Sequence, residues 1–250
     1  TENIVSQALT ISPSKIKDID QTLKELKKSL IINEKQLLAY KEKSFSKQSQ
    51  YERLVLAQNL SPEQIARFSV ESERWPDLSI EARLMRFNLF GPTFSHVLGY
   101  VGQISREEIE DSMSFSYPLS FQIGKSGVEK SYEEQMRGGV GYKTIEVDVH
   151  GKEIRELTRV IPKKGSDIYL TLDKDLQELA RSELAGRKGA VVALDPNNGF
   201  IKALVSGPDF NPNILNKTEA GDLDIILNDL ESPLFNRAIS GSYPPASTIK

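Results

Sequence analysis

A proline pair near the end of the 250-residue chain, in Tyr243-Pro244-Pro245-Ala246, restricts the fold more than any other sequence feature. Each proline removes an amide donor and constrains the residue before it, so this stretch cannot be helical. It leads into Ser247 and Lys250, which share one face of a helix if the helix begins at Ser247. A serine hydroxyl beside a lysine amine suits serine acyl transfer, and the helix dipole favours developing negative charge on the nucleophile.

The Ser-x-x-Lys spacing is not specific by itself, because the chain contains it four times. The other three pairs lie in Lys-rich or polar segments that are typical of solvated surface: Ser12/Lys15, Ser14/Lys17 and Ser44/Lys47. Ser247 differs because a stiff, extended segment fixes where its helix begins. An ordinary N-cap serine after a proline turn has the same pattern, and spacing alone leaves both interpretations open.

Composition narrows the classes of protein that the chain can belong to. The formal net charge is −3, which gives no broad basic surface for nucleic acid. The absence of cysteine excludes disulfides and thiolate metal sites, and two separated histidines, His96 and His150, argue against a His-rich metal site. No apolar run approaches the roughly 20 residues of a membrane span. The abrupt start at Thr1, without a signal peptide, is typical of a trimmed chain.

Several segments of the first half have helical patterns. Ser12-Pro13 predicts a helix start, followed by an apolar stripe that serves either its own domain or a partner helix: Ile16, Ile19, Leu23, Leu26 and Leu30. Asn33-Glu34-Lys35-Gln36 predicts a second, short helix. Ser61-Pro62-Glu63-Gln64 and Ser105-Arg106-Glu107-Glu108 are capping boxes that predict two more. A further helix is expected to lead from about residue 124 through Met136.

Alternating apolar residues predict strands in the same half. Two single strands are predicted at 53–57 and 96–104. A half-buried strand is predicted between them, with Ile80, Ala82 and Leu84 inward. Residues 142–149 and 154–160 are predicted to pair as a hairpin that turns at His150-Gly151. Within them, His96 is predicted to be a structural histidine and not a catalyst.

The composition of Pro162-Lys163-Lys164-Gly165 is that of a linker, which places a domain boundary there. Beyond it, a strand at 167–172 precedes a helix that begins after Asp173. The predicted apolar face of that helix consists of Leu176, Leu179, Ala180 and Leu184. A buried strand at 189–194, a turn at 195–199 and a returning strand at 200–206 complete a sheet with a helix on one face. A short helix is expected near 225–230.

The end of the chain resembles the nucleophile segment of the class B penicillin-binding proteins. That segment reads N-R-A, a spacer and P-P-G-S-T-x-K, and here it is Asn236-Arg237-Ala238 followed by Pro244-Pro245-Ala246-Ser247-Thr248-Ile249-Lys250, with Ala246 where glycine is usual. The resemblance covers about residues 60–250 and is strongest after 165. In the C-terminal part, the resemblance includes the strand at 167–172 and the hairpin at 190–199. In the N-terminal part, it includes four segments that are similar to the family's pedestal: His96 to Val101, Gly124 to Glu133, the Gly138/Gly141 pair and Gly151 to Arg155. Residues 86–92 differ from the Arg-Tyr-Tyr-Pro sequence that the family often has at this position.

The resemblance implies an α+β fold. Residues 1–163 would form an elongated, non-catalytic pedestal of the dimerisation type, made of mixed helices and antiparallel strands, with a partner-binding head around 1–90. Residues 164–250 would be the start of the penicillin-binding, or transpeptidase, α/β domain. Within the family the chain is most like the elongation-specific type, penicillin-binding protein 2, and the division-specific type is the alternative.

The same resemblance implies a periplasmic peptidoglycan D,D-transpeptidase that crosslinks stem peptides during cell-wall elongation. Ser247 would be the nucleophile, Lys250 its general base, and β-lactams would acylate the same serine. No cofactor is implied. The expected partners are stem peptides, a SEDS-family glycan polymerase, an MreC-like scaffold protein and the inner membrane of a Gram-negative bacterium, reached through an anchor absent from this chain; nucleic acid is not among them.

Two alternatives from other classes remain. The family's Ser-x-Asn and Lys-Thr-Gly elements would lie beyond Lys250, so this chain alone is expected to be inactive and could serve as an interaction module. A β-lactamase-like hydrolase is a further option, against which the large non-catalytic N-terminal half argues.

Overall fold

The computed structural model describes residues 1–11, 18–29, 32, 54–105, 108, 122–139, 141–148, 153–215 and 225–244. Within these residues the strands form one three-stranded sheet and three two-stranded sheets, all of them antiparallel. Helices pack on several of these sheets, which makes the fold mixed α+β, as the sequence predicts.

The N-terminal sheet has β1 (Glu2–Ile11) at its centre, between β2 (Leu54–Ala57) and β3 (Leu78–Phe87). The sequence patterns correctly predict β2 and β3, whereas β1 was not predicted. The strand β1 is paired on both edges, its second half is buried on both faces, and Leu9 and Ile11 are fully inaccessible to solvent.

Two helices cover this sheet: α1 (Ile19–Lys28) and α2 (Pro62–Glu71). The predicted capping box of α2 is present, with Gln64 N donating to Ser61 Oγ and Ser61 N donating to Gln64 Oε1. The helices and strands enclose one apolar core that includes Leu9, Ile11, Leu23, Leu26, Leu56, Phe68 and Trp75. The two members of the predicted stripe whose side chains are described, Leu23 and Leu26, therefore serve the core of their own domain.

The start of α1 differs from the predicted one. Asp18 has an extended backbone and its carboxylate accepts a hydrogen bond from Gln21 N at 2.9 Å, so Asp18 is the N-cap. The prediction of one continuous helix that begins at Ser12-Pro13 is therefore wrong, because the backbone is extended at Asp18. The predicted helix at 33–40 lies outside the described residues.

The inward face of β3 also differs from the predicted one. Ile80 packs against the core, but Ala82 is exposed and the side chain of Leu84 is 69% exposed, whereas Met85 is buried. The apolar alternation predicted the strand but not which side chains lie inward along its whole length.

After β3, the chain forms a 3-10 turn at Gly91–Phe94 and the short helix α3 (Ser95–Leu98), followed by β4 (Val101–Gln103). The strand predicted over 96–104 is thus wrong for its first half. Gly99 separates the two elements, with φ 79° and ψ −154°, a conformation that is almost exclusive to glycine. It ends α3 and turns the chain into β4.

The strand β4 pairs with β5 (Gln122–Gly124), and α4 (Gly127–Ser131) and α5 (Glu133–Arg137) follow. The predicted helix through Met136 is therefore present as two short helices. The second predicted capping box is present as well, with reciprocal hydrogen bonds between Ser105 and Glu108.

The predicted hairpin is confirmed as β6 (Tyr142–Val147) paired with β7 (Glu153–Val160). Its predicted turn at His150-Gly151 lies outside the described residues. An isolated bridge between Gly139 and Lys163 closes the base of the hairpin.

In the C-terminal part, α6 (Lys174–Leu184) packs on the hairpin of β8 (Gly189–Leu194) and β9 (Ile201–Gly207). Asp173 is the N-cap of α6, as predicted, and accepts from Leu176 N at 3.0 Å. Two short helices follow, α7 (Pro212–Leu215) and α8 (Arg237–Ser240). Residues 225–227 are helical, within the predicted short helix.

Three details of this part correct the sequence predictions. Residues 167–172 run beside β9 but form no strand, and Tyr169 is 90% exposed. The inward face of α6 is Gln177, Ala180 and Leu184, whereas Leu176 and Leu179 are exposed. The strand β8 was predicted to be buried, but its alternate residues Val192 and Leu194 face solvent.

No helix among the described residues combines the length and the apolarity that crossing a bilayer requires.

Candidate functional site

Ser247 and Lys250, the predicted nucleophile and base, lie outside the described residues, which end at Pro244. The structure therefore shows how the chain approaches this motif. Residues 231–244, here named the lead-in segment, contain the Asn236-Arg237-Ala238 sequence and the first proline of the pair.

The lead-in segment contains the short helix α8, which has a defined start and end. Asn236 is the N-cap, and its Oδ1 accepts a hydrogen bond from Ala238 N at 3.1 Å. At Gly241 the backbone becomes extended, with φ −70° and ψ 127°. A Cβ at this position would lie 2.4 Å from the carbonyl oxygen of Arg237, so only glycine fits there without a shift. Beyond it the chain continues without helix through Pro244, as the proline pair predicts.

Arg237 holds the first half of the lead-in segment together. Its guanidinium donates to the backbone carbonyl of Glu231 at 2.6 Å, and to those of Ser232 and Phe235 at 3.2 and 3.4 Å. The same group lies over the ring of Phe235, 5.6 Å from the ring centroid. Charge-assisted donors are stronger than neutral ones, so one side chain fixes the backbone of residues 231–235 at three carbonyls.

Ser206 connects the lead-in segment to the sheet. This residue of β9 is 2% exposed, and its Oγ accepts from Arg237 N at 2.9 Å. The same hydroxyl donates to the carbonyl of Phe235 at 3.3 Å. A hydroxyl that both donates and accepts is fully used, which explains why this polar side chain can be buried.

His96, on α3, contacts the lead-in segment from the N-terminal part of the chain. Its Nε2 lies 2.7 Å from the carbonyl oxygen of Pro233, and its own carbonyl accepts from Asn236 Nδ2 at 3.3 Å. Burial lowers the pKa of His96, an effect that outweighs the opposing influences of the Pro233 carbonyl and Asp209. The ring also packs edge-on against Phe210, with centroids 5.3 Å apart. His96 is neutral at neutral pH and is structural, as predicted.

Gln177 provides a second link between the same two parts of the chain. The residue is 1% exposed on α6, and its Nε2 donates to the carbonyls of Thr93 and Leu204 at 3.0 and 2.8 Å. Its Oε1 accepts from Leu204 N at 2.8 Å. Sequence reasoning missed Gln177, although its spacing from Ala180 and Leu184 places it on their face of the helix.

The N-terminal part has a separate cavity of about 430 Å³ between β3 and α5. Four of its charged residues form two ion pairs: Arg86 Nε lies 2.7 Å from Glu129 Oε1, and Arg137 Nη1 lies 3.9 Å from Glu133 Oε1. Burial raises the pKa of Glu133, against the hydrogen bond from Gly124 N. None of the residues lining this cavity belongs to the lead-in segment, so the cavity is not part of the approach to Ser247.

Comparison with known proteins assigns the chain to a family. Residues 1–170 match the model of the penicillin-binding protein dimerisation domain, and residues 189–250 match that of the penicillin-binding protein transpeptidase domain. Peptidoglycan D,D-transpeptidase MrdA of Acinetobacter baumannii is 38% identical over 242 residues, which are 96% of this chain and 36% of that protein.

Two complexes are among the solved structures that share the fold. One is the complex between penicillin-binding protein 2 and MreC from Helicobacter pylori, with a TM-score of 0.72 and 24% identity over 94% of this chain and 44% of that one. The other is a peptidoglycan synthase complex that coordinates polymerization and crosslinking, with a TM-score of 0.57 and 25% identity over 94% of this chain and 41% of that one.

The chain belongs to the penicillin-binding protein family. It spans less than half the length of the relatives it matches.

Proposed function

We propose that this chain is part of a peptidoglycan D,D-transpeptidase that crosslinks stem peptides through a serine acyl-enzyme during cell-wall elongation. The match of residues 189–250 to the transpeptidase domain, which includes Ser247 and Lys250 after the proline pair, carries the proposal. The 38% identity to a protein named peptidoglycan D,D-transpeptidase MrdA supports the elongation type over the division-specific one.

In the proposed reaction, Ser247 Oγ attacks the carbonyl carbon of the penultimate D-Ala of a donor stem peptide, and Lys250 accepts the hydroxyl proton. The peptide bond to the terminal D-Ala breaks, and D-Ala leaves with a proton on its amine. An amine of an acceptor strand then attacks the ester, forms the crosslink and restores the Ser247 hydroxyl. The Ser247 backbone amide contributes to stabilising the oxyanion.

Lys250 can act as a base only when its amine is neutral. Burial or neighbouring positive charge lowers the pKa of a lysine, and one of them must operate at this site. β-Lactams acylate the same serine, because their ring carbonyl takes the place of the peptide carbonyl. The ester formed with a β-lactam persists and labels the protein.

The test is labelling of the natural full-length protein with a fluorescent penicillin. We expect covalent labelling of the unsubstituted protein and none of the Ser247→Ala variant. Lys250→Ala should slow labelling by about 100-fold or more, because general base catalysis contributes 10²–10⁴-fold.

Ser44→Ala is the matched control, since Ser44 and Lys47 have the same spacing in a polar segment. It should label like the unsubstituted protein. Labelling that survives Ser247→Ala would show that Ser247 is not the nucleophile. No labelling of the unsubstituted protein would contradict the transpeptidase proposal and favour the interaction module.

We also propose that residues 1–163 are a non-catalytic pedestal, with a partner-binding head around 1–90 and a domain boundary at about 164. The partners would be an MreC-like scaffold and a SEDS-family glycan polymerase, on the periplasmic face of the inner membrane of a Gram-negative bacterium. The fold shared with the Helicobacter pylori protein, which was solved in complex with MreC, supports the scaffold partner. The synthase complex that coordinates polymerization and crosslinking supports the polymerase.

Binding of the purified full-length protein to MreC of the same organism tests the scaffold partner. We expect a version that lacks residues 1–90 to lose binding while the version with all residues binds. Equal binding by both would place the contact outside the head.

A further inference from the structure

We infer that His96 is a positioning residue for the nucleophile, which it serves by clamping the lead-in segment to the N-terminal part of the chain. The inference rests on the proposed function, because it concerns the same Ser247. His96 does not touch substrate in this role; it acts through the backbone that leads to the motif.

The hydrogen bond from His96 fixes its tautomer. The carbonyl oxygen of Pro233 can only accept, so the Nε2 atom at 2.7 Å from it must carry the proton and donate. The neutral ring then has an acceptor at Nδ1, which faces Ser95 Oγ at 3.4 Å. The packing of Phe210 against the ring restricts its orientation. Ser95 and Phe210 therefore hold the imidazole in the orientation in which its Nε2 donates to Pro233.

His96 contacts the lead-in segment at two points rather than one. Its side chain holds Pro233 and its backbone carbonyl receives Asn236 Nδ2. The other end of the Asn236 amide caps α8 through Ala238 N. A shift of α3 would therefore move Asn236, and with it the start of the last helix before the nucleophile motif.

The remaining anchors of this stretch come from the C-terminal part of the chain. Ser206 of β9 holds Phe235 and Arg237, and Lys188 Nζ lies 3.0 Å from Glu231 Oε2. His96 thus supplies a further fixed point from α3, in the N-terminal part of the chain, so the lead-in segment is held by both parts of the chain. Catalysis by positioned groups is sensitive to such placement, since a misplacement of 1 Å can cost about 100-fold in rate.

The experiment measures acylation of the full-length protein by a fluorescent penicillin over time. The dependence of the labelling rate on penicillin concentration separates the binding constant from the acylation rate constant. The amount of label bound at the end of the reaction gives the number of active sites that can be acylated. We expect His96→Ala to lower the acylation rate constant by about 10- to 100-fold, while the end point per folded protein is unchanged. His96→Gln, whose amide can donate where Nε2 does, should recover most of the rate.

A second variant tests the clamp from its other end, without replacing His96 itself. Asn236→Asp keeps the acceptor for Ala238 N but replaces the donor to the His96 carbonyl by an oxygen. It should slow acylation in the same way as His96→Ala. His150→Ala, the other histidine of the chain, is the control and should acylate at the unsubstituted rate.

Three results would overturn the inference. They are an unchanged acylation rate constant in both His96→Ala and Asn236→Asp, a loss confined to the end point or to the unfolding temperature, and no recovery by His96→Gln. In each case the unsubstituted protein still labels at Ser247, so the proposed function survives. Absence of labelling in the unsubstituted protein would instead remove the proposed function and this inference together.

Discussion

Asn88 and Asn213 exchange two hydrogen bonds across 125 residues of sequence. The backbone amide of Asn88 donates to Asn213 Oδ1 at 2.8 Å, and Asn213 Nδ2 donates to the backbone carbonyl of Asn88 at 2.9 Å. One side chain thus satisfies both polar groups of a peptide backbone, as a neighbouring strand would. Together with Gln177 and His96, this pair joins the segment after β3 to the C-terminal part of the chain.

Replacing Asn213 by alanine should destabilise the protein by about 2 kcal/mol, because it leaves the buried amide of Asn88 without its acceptor and removes one of the two donors to the Asn88 carbonyl, the other being Gly91 N. By contrast, the side chain of Asn88 is buried, and its Oδ1 and Nδ2 have no hydrogen-bond partner among the described residues. Asn88→Leu should therefore be neutral or stabilising, since the backbone hydrogen bonds persist and two unsatisfied polar atoms disappear.

Thermal unfolding of the full-length protein checks this pair of variants, with Asn197→Ala in the exposed turn after β8 as the control. The control should change stability by less than about 0.5 kcal/mol. A destabilised Asn88→Leu variant would show that the Asn88 side chain has a partner that the described residues do not include.

Gln177 gives a second prediction at the same junction. Gln177→Ala removes three hydrogen bonds from a fully buried site, and we expect a loss of about 3 kcal/mol. Glu183→Ala, on the exposed side of the same helix, should have almost no effect. Hydrogen exchange locates the change: exchange of Leu204 N, the donor to Gln177, should accelerate in the variant. Unchanged protection at Leu204 would contradict the proposed bridging role.

The sequence patterns predicted local elements better than the contacts between them. The cap at Ser61, the helix start at Asp173 and the hairpin of β6 and β7 depend on neighbouring residues, and all three are confirmed. The central strand β1 was missed. Residues 8–11 are all buried, so both faces of the strand are covered there, and a strand covered on both faces shows no apolar–polar alternation.

Side-chain orientation was the least predictable property. On α6 the apolar residues Leu176 and Leu179 favoured a face that the structure leaves exposed, because the buried position belongs to the polar Gln177. A glutamine is buried only where the fold supplies partners, and these partners come from residues 93 and 204. At the candidate site, Ser247 and Lys250 could be named from the motif, whereas the clamp by His96 depends on a contact across 137 residues.

Gly99 gives a third prediction, on the turn that follows His96. A Cβ there would lie 2.0 Å from the carbonyl oxygen of Ser126, in addition to the strain of φ 79°. Gly99→Ala should therefore cost about 3 kcal/mol or more. Gly186→Ala is the matched control, since Gly186 has φ 72° but nothing within 4 Å of the added atom. It should cost only about 1–2 kcal/mol, the price of a left-handed conformation. Equal losses of unfolding temperature in the two variants would contradict the close approach of Gly99 and Ser126.

The pH dependence of stability gives the fourth prediction. The pKa of His96 lies below its usual value of 6.5, chiefly because of burial, and the charges that face the ring are Asp209 and Arg237. In the window between this lowered pKa and 6.5, the unfolded chain binds a proton that the folded protein does not. The contribution of His96 to stability therefore falls as the pH drops through this window and recovers at neutral pH.

Unfolding temperatures of the full-length protein and its His96→Gln variant between neutral and mildly acidic pH test this sign. Carboxylates that titrate in the same range affect both proteins equally, so the difference between them isolates His96. The unsubstituted protein should lose more stability on acidification than His96→Gln does, because glutamine binds no proton. A difference that is constant across this range would mean that the histidine has the same pKa in the folded and unfolded states. A greater loss in His96→Gln would mean that the pKa of His96 is raised in the folded protein, and that the Pro233 hydrogen bond and the charge of Asp209 together outweigh burial.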